Sequence, residues 1–358
     1  MLPSFSVLTC PQHPRVQIVH ASMPQTTLVW LRHSLRLRDH PALADAAEQG
    51  AVVPVFVWAP TEEGNWPPGG AAQWWLHHAL QDLDARLRDR GSRLILRTGP
   101  TLDALRDLID TTGATRVVWN RRYEPTLAAR DADVRDALDE QGIETQTFES
   151  QILHDPTAVK TTSGGPYHVF TPFWKKVRKE DLLDTRSPLA IPNLPSPETW
   201  PSSEPLEALD LLPEARGEPD WAAGLREAWA PTIDGAHERL DYALTNVLGD
   251  YDTARDRPDK DGTARLSPYL HHGQLSPRQV WHTVAQWADD TGRPDDAQPF
   301  LRQIVFREFA HHWLYHYPDT PTETYRDKFR DFPWRNDAEA LSRWKRGKTG
   351  YPIVDAGM

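Results

Sequence analysis

Short apolar segments alternate with longer amphipathic segments along residues 24–150. The apolar segments predict five strands: TTLVWL, AVVPVFVWA, RLILRTG, TRVVWNRRY and IETQTF. The segments between them carry apolar residues at helical spacing: HPALADAAEQG, GAAQWWLHHALQDLDARLRDRG, TLDALRDLIDTTG and PTLAARDADVRDALDEQG. Short apolar strands separated by helices are typical of a parallel sheet covered on both faces. We therefore predict an α/β domain over residues 24–150, with a doubly wound, parallel, five-stranded sheet.

The pattern changes after residue 150. Residues 151–230 are rich in proline, as in SPLAIPNLPSPETWPSSEP, and their periodicity is weak, so they predict a long interdomain connector. Strand signals are then absent, and DGAHERLDYALTNVLGDY, SPRQVWHTVAQWADDTG, AQPFLRQIVFREFAHHWLYHYP and NDAEALSRWKRG predict helices. Residues 231–358 are therefore expected to form an all-α domain. Residues 1–23 show no periodicity and are interpreted as a disordered extension or a wrongly assigned start, with Met23 as the alternative first residue.

Composition narrows the class of protein. Hydrophobic residues make up 39% and charged residues 25% of the 358 residues, which suits a soluble globular protein. No apolar run is long enough for a membrane span, and the N-terminus lacks a secretory signal pattern. The single cysteine, Cys10, excludes an internal disulfide and favours the cytoplasm. A net charge of −11 argues against a uniformly basic nucleic-acid coat and leaves room for a local basic patch.

The segment DGTARLSPYLHHGQLSP, residues 261–277, carries the first candidate chemistry. A glycine, Thr263 and Ser267 lie in a loop just before a helix, where free backbone N–H groups and hydroxyls suit a phosphate. The alternative is an ordinary helix start, with Ser267 as N-cap and Pro268 at the first helical position. The residues alone leave both interpretations open.

The helix predicted from FLRQIVFREFAHHWLYHYP combines an apolar stripe with polar groups, whose burial costs free energy unless they have partners. The stripe consists of Leu301, Ile304, Val305, Phe309 and Leu314, and the polar groups are Arg302, Gln303, Arg307 and Glu308. These polar groups face a ligand or form an ion pair between helices. His312 and His316 have the i, i+4 spacing of a metal pair, but no acidic third ligand stands at a fitting spacing on this helix, so no metal site is predicted.

The third candidate is RWKRGKTGYP near the end of the chain. Four basic residues surround Trp344 there: Arg343, Lys345, Arg346 and Lys348. Basic groups interleaved with an aromatic ring suit a nucleic-acid backbone, and a solvated helix end is the alternative.

Together these segments resemble the DNA photolyase/cryptochrome flavoproteins, in particular the class I and class III cyclobutane pyrimidine dimer photolyases. The resemblance runs from about residue 25 to residue 358. The motifs that carry it are LVWLRHSLRLRDHPAL, VVWNRRYEP, YHVFTPFWKKV, YDTARDRPDKDGTARLSPYLHHGQLSP, FLRQIVFREF and GKTGYPIVDAGM, in this order. It implies an α/β antenna domain, a long connector and a helical domain that holds FAD in a U-shape.

The resemblance also implies a reaction and a set of site residues. Reduced FAD absorbs blue light and passes an electron to a cyclobutane pyrimidine dimer flipped out of UV-damaged DNA. Residues implied to contact FAD are Tyr251, Thr263, Ala264, Arg265, Leu266, Ser267, Phe300, Gln303 and Arg307. Residues implied to meet DNA are Arg255, Phe306, Arg343, Lys345, Arg346 and Lys348. Gln303 and Trp334 are implied to take part in catalysis, with Trp334 as the outermost tryptophan of an electron chain.

A second, light-harvesting chromophore, methenyltetrahydrofolate or a deazaflavin, is a further implication, with Asn120 and Glu124 at its site.

Departures from the family pattern keep other functions open. Gln303 stands where many dimer-repairing members have Glu, Phe306 stands where many have Trp, and Ser34 replaces an acidic residue. A cryptochrome-like blue-light sensor and an inactive remnant are therefore the alternatives. The protein is expected to be monomeric and to interact with no membrane.

The family's helix that starts near Asp355 continues beyond the equivalent of Met358, and more helices follow. The chain is therefore interpreted as C-terminally truncated. We expect it to bind FAD weakly or not at all and to expose apolar surface in its helical part.

Overall fold

Five parallel strands form a single sheet in the first part of the chain. The computed structural model describes residues 25–214, 217 and 219–358, so the predictions for residues 1–23, including Met23 and Cys10, lie outside the described residues. The strands are β1 (Gln25–Leu31), β2 (Gly50–Trp58), β3 (Ile95–Thr98), β4 (Arg116–Asn120) and β5 (Glu144–Phe148). Their order is β3-β2-β1-β4-β5, and each neighbouring pair is parallel. The predicted five-stranded parallel sheet is confirmed.

Helices cover both faces of this sheet. They are α1 (Pro41–Gln49), α2 (Gly70–Arg88), α3 (Thr101–Thr112) and α4 (Pro125–Asp139). Successive residues of β1 point to opposite faces, so Val29 and Leu31 enter one hydrophobic core while Leu28 and Trp30 enter another. The order places a switch point between β1 and β4, because the chain extends the sheet from β1 in one direction and returns to the other side with β4.

The proline-rich segment holds more structure than its pattern predicts. It contains α5 (Phe170–Lys179) and the short α6 (Ala223–Ala228). Phe170, Phe173 and Val177 of α5 are buried at i, i+3 and i+7, a helical pattern too short to dominate its proline-rich surroundings. The interpretation of 151–230 as a segment of weak periodicity therefore missed α5.

The last part of the chain is helical. Its helices are α7 (Ile233–Asn246), α8 (Tyr251–Ala254), α9 (Ser267–His272), α10 (Pro277–Thr291), α11 (Pro294–His316), α12 (Ala338–Lys345) and α13 (Pro352–Gly357). Residues 231–358 are all described and contain no strand, as predicted. The expected exposure of apolar side chains is confirmed for Phe329, Phe332, Trp334, Leu341, Trp344, Tyr351, Ile353, Val354 and Met358. None of the helices in the described part of the chain combines the length and apolarity needed to cross a bilayer.

His40 connects the start of α1 to the interior of the sheet. Its Nδ1 accepts a hydrogen bond from the Leu43 N–H at 3.0 Å, as an N-cap. Its Nε2 lies 3.1 Å from the Ser34 hydroxyl and 3.2 Å from the Asn120 side-chain nitrogen. Burial, helped by the Arg36 guanidinium, lowers the pKa of His40 to about 3. The cap therefore requires a neutral imidazole.

We expect His40 to make the protein less stable in acid. The unfolded chain takes up a proton at His40 below pH about 6.5, whereas the folded chain resists protonation down to pH about 3. The free energy of unfolding should fall by about 1.4 kcal/mol per pH unit through this window because of His40 alone. His40→Asn keeps an N-cap acceptor and removes the titration. Urea unfolding of both proteins between pH 7 and 4 should show the smaller slope in the variant, and equal slopes would contradict the prediction.

Candidate functional site

A cavity of about 780 Å³, called here the main cavity, opens between the loop before α9 and the first half of α11. Every residue that the resemblance assigns to FAD lines it: Tyr251, Thr263, Ala264, Arg265, Leu266, Ser267, Phe300, Gln303 and Arg307. These residues come from α8, α9, α11 and the intervening loop, which are far apart in sequence. The fold therefore brings the predicted set together around one concave site.

The loop over residues 261–266 has a tightly packed backbone. A Cβ added to Gly262 would lie 2.4 Å from the carbonyl oxygen of Ala254, so the loop passes this point only because residue 262 has no side chain. Arg265 has a left-handed backbone with φ 49°. The Arg239 guanidinium donates to the carbonyl oxygens of Thr263 and Ala264 at 3.0 and 2.9 Å.

The donors of this loop are left for a ligand. Among the described residues, no hydrogen bond has the backbone N–H of Thr263, Ala264, Arg265 or Leu266 as its donor. Four neighbouring N–H groups without protein acceptors, beside the hydroxyls of Thr263 and Ser267, form an arrangement that suits an anion such as a phosphate. The helix-cap alternative for Ser267 is wrong, because α9 begins at Ser267 with Leu266 as its N-cap, and the Ser267 side chain makes no capping hydrogen bond.

The polar residues of α11 divide by their position on the helix. Gln303 and Arg307 are half-buried and line the main cavity, whereas Arg302 is exposed and does not line it. The Arg307 guanidinium donates to the carbonyl oxygen of Gln151. Burial lowers the pKa of Arg307, and the nearby carboxylates of Glu308 and Glu124 oppose that shift. Arg307 thus places a positive charge at the cavity wall from a largely buried position.

Phe306 lies outside the cavity lining. Its exposed ring stacks on Phe170 of α5, with ring centroids 3.4 Å apart and planes 14° apart. The Arg302 guanidinium lies 5.5 Å from the Phe170 ring centroid. The two stacked rings therefore form an exposed aromatic platform beside Gln303.

Of the four polar residues predicted on α11, Glu308 is the one that is fully buried. Its Oε2 accepts from the Leu153 N–H at 2.6 Å and lies 2.8 Å from His154 Nδ1. The predicted internal pairing is thus present at this position, but the partners belong to residues 151–154 and not to another helix. Glu308 ties the connector to the helix that lines the main cavity.

A second cavity, of about 570 Å³, lies at the carboxyl ends of β1, β2 and β4. This is the switch point of the sheet, where open parallel sheets bind ligands. Its lining includes Trp58, Trp66, Arg122, Glu124 and Arg130. It offers flat apolar surfaces together with charged groups.

Glu124 faces both cavities, whereas Asn120 lines neither. Burial alone would raise the pKa of Glu124, but the Arg122 guanidinium, at 2.8 Å, outweighs burial and lowers it to about 2. Asn120 lies at the end of β4 with its side chain directed to His40 in the interior. A chromophore in the second cavity would therefore meet Glu124 and not the Asn120 side chain, which does not support the predicted role of Asn120.

Of the remaining predicted residues, Arg255 is half-buried and the others lie at the surface. Arg255 packs near the ring of Tyr251, 5.7 Å from its centroid, and pairs with Asp252 at 3.3 Å. Arg343, Lys345, Arg346 and Lys348 are on or just after α12, and no ion pair to them is found among the described residues. Trp334 is 76% exposed and contacts Phe332, with ring centroids 4.6 Å apart.

Four polar lining residues of the main cavity were not singled out from the sequence. They are His33, Gln151, His271 and His311. The pair His271 and His272 in LHHG stands directly after the predicted phosphate loop and could have been included on that ground. His33 and Gln151 could not, because only the packing of the sheet against α9 and α11 brings them to the cavity.

Comparison with known proteins places these features in a family. Residues 27–197 match the family model described as DNA photolyase, and residues 300–358 match the FAD binding domain of DNA photolyase. A deoxyribodipyrimidine photo-lyase of Agrobacterium fabrum is 42% identical over 333 residues, which are 92% of this chain and 68% of that protein. Cryptochrome-2 of Arabidopsis thaliana is 36% identical, over 94% of this chain and 56% of that protein.

A solved structure extends the comparison to the fold. The class III photolyase of Agrobacterium tumefaciens superimposes with a TM-score of 0.87 at 40% identity. The match covers 95% of this chain and 69% of that one. The chain thus spans about two thirds of the length of the two Agrobacterium proteins and a little over half of the plant cryptochrome.

Proposed function

The chain belongs to the DNA photolyase family, and on this basis we propose that it repairs cyclobutane pyrimidine dimers in DNA in a light-dependent reaction with reduced FAD. The observation that carries the proposal is the main cavity, which gathers nine residues of the expected flavin set in one place. We further propose that the protein acts as a monomer in the cytoplasm on UV-damaged DNA.

The main cavity suits the dinucleotide. The four unpartnered N–H groups of residues 263–266 would hold its phosphates, since backbone donors and adjacent hydroxyls bind anions without a large desolvation cost. Tyr251 and Phe300, whose ring centroids are 5.2 Å apart, provide an apolar wall. When bound and reduced, FAD supplies the electron that splits the dimer under blue light.

The substrate would lie on the Gln303 side of the cavity. Gln303 offers both an amide donor and a carbonyl acceptor to the edge of a flipped base. The Phe306–Phe170 platform would stack on a base, and Arg307 would hold negative charge close to the reaction. Arg255 and the four basic residues of the α12 region would contact DNA phosphates.

We propose that the second cavity holds a second, light-harvesting chromophore. Trp58 and Trp66 suit a flat ring, and Arg122 and Arg130 suit acidic substituents. Glu124, which faces both cavities as do His33 and His271, would be a residue that such a chromophore shares with the flavin site.

The test measures dimer loss from a thymine-dimer oligonucleotide in blue light and in the dark, expressed per FAD bound so that incomplete loading does not obscure it. We expect repair in light only. Gln303→Glu should raise the repair rate roughly three- to tenfold, because a carboxyl group makes a stronger hydrogen bond to the base than an amide does. Gln141→Glu, an exposed position after α4, is the matched control and should leave the rate unchanged.

A blue-light sensor is the second candidate, favoured by Gln303 and by the 36% identity to a plant cryptochrome. Bound FAD that responds to light while dimers persist, in the original chain and in Gln303→Glu, would favour the sensor. A chain that takes up no FAD would favour the inactive remnant.

A further inference from the structure

Three histidines from two separate parts of the chain meet at the wall between the cavities. His33 follows β1, and His271 and His272 end α9. Each has a ring nitrogen within 4.8 Å of a ring nitrogen of the other two. The ring centroid of His33 lies 4.5 Å from that of His271 and 5.6 Å from that of His272.

The backbone holds these histidines together. Gly273, in the left-handed conformation with φ 74°, ends α9 directly against residues 33–34, and a Cβ there would lie 2.3 Å from the His33 carbonyl oxygen. The Leu35 N–H donates to the carbonyl oxygen of His272 at 3.1 Å. The Gln151 side chain donates to the His33 carbonyl oxygen at 3.4 Å. The cluster is therefore set by a close backbone contact and not by flexible side chains alone.

The ring nitrogens are available to a ligand. Among the described residues, no hydrogen bond involves a ring nitrogen of His33, His271 or His272. His272 is only 4% exposed, and its Nδ1 is buried without a hydrogen-bond partner. An unsatisfied buried nitrogen costs free energy unless something binds it.

We propose that His33, His271 and His272 bind a divalent transition-metal ion, with Zn²⁺ as the expected metal. Imidazole suits zinc, and three histidines leave the fourth tetrahedral position for water or another ligand. In tetrahedral coordination, zinc–nitrogen bonds of about 2.0–2.1 Å place two ligand nitrogens about 3.4 Å apart. The ring nitrogens here lie within 4.8 Å of one another, so the rings must close by up to about 1.5 Å, and His271 is exposed and free to turn.

The charges around the cluster are compatible with a cation. Three guanidinium groups act on these rings, and each has a carboxylate partner: Arg122 with Glu124 at 2.8 Å, Arg32 with Asp131 at 2.8 Å, and Arg307 with Glu308 at 3.6 Å. Because His33 belongs to the α/β part and the other two ligands to the helical part, the ion would join the two parts of the chain. Its binding should therefore stabilise the fold.

The test titrates the untagged, EDTA-treated chain with Co²⁺, whose visible absorption reports tetrahedral coordination, and displaces it with Zn²⁺. We expect one ion per chain and a higher unfolding temperature with Zn²⁺. His271→Asn and His33→Asn should each weaken binding by more than the roughly 10–100-fold that loss of a second-shell partner costs. Since His271 is exposed, its replacement should leave the circular dichroism spectrum unchanged.

His282→Asn, on α10, is the matched control and should bind Co²⁺ like the original chain. Absence of the visible Co²⁺ band, or a band of equal strength in His271→Asn and His33→Asn, would overturn the proposal. This outcome is independent of dimer repair, because the titration requires neither FAD nor DNA.

Discussion

Replacing Gly262 with alanine should weaken FAD binding by at least about 100-fold. The added Cβ would lie 2.4 Å from the carbonyl oxygen and 2.5 Å from the carbonyl carbon of Ala254, and neither backbone atom can move without displacing α8. The loop must shift instead. Its N–H groups at residues 263–266 would then no longer converge on one anion.

The size of this effect follows from the hydrogen bonds at risk. A hydrogen bond to a charged group contributes about 1.5–3 kcal/mol, so the loss of two weakens binding by at least about 100-fold. Gly224→Ala is the matched control, because a Cβ there meets nothing within 4 Å. Fluorescence titration of flavin-free protein with FAD measures both dissociation constants. Equal constants for Gly262→Ala and the original chain would show that FAD phosphates do not bind at this loop.

Local periodicity was sufficient to predict the sheet and most of the helices. Apolar segments such as TTLVWL and the long stripe of α2 form one element each, and neighbouring residues decide their conformation. Helix α5 was missed because its three buried residues span too few turns among prolines. Ser267 was a candidate for the N-cap of α9, but it is the first residue of the helix, and Leu266 is the N-cap.

The site was predictable only as far as sequence motifs reach. The flavin set was assigned by resemblance, and the fold gathers it around the main cavity. The histidine cluster was not predictable, because residue 33 and residues 271–272 are more than 200 positions apart and meet through the close approach at Gly273. The sequence showed the spacing of a metal pair at His312 and His316 on α11 instead. In the structure, His312 Nε2 accepts a hydrogen bond from the Tyr167 N–H at 3.3 Å.

Glu308 shows how a buried group can support the site without lining it. The carboxylate is completely buried and satisfies two donors of the connector, the Leu153 N–H and His154. Two residues earlier, the Gln151 carbonyl accepts from Arg307, which lines the main cavity. Residues 151–154 are therefore held by Glu308, and the Gln151 carbonyl in turn holds the Arg307 guanidinium at the cavity.

Glu308→Leu should lower the free energy of unfolding by about 3–5 kcal/mol, because a leucine of similar volume leaves both buried donors without an acceptor. Glu308→Gln retains one acceptor oxygen and should lose about half as much. Glu238→Leu, at an exposed position of α7, should stay within about 0.5 kcal/mol of the original chain. Urea unfolding without added flavin measures all three. A loss below 1 kcal/mol in Glu308→Leu would mean that water or a rearranged connector satisfies these donors.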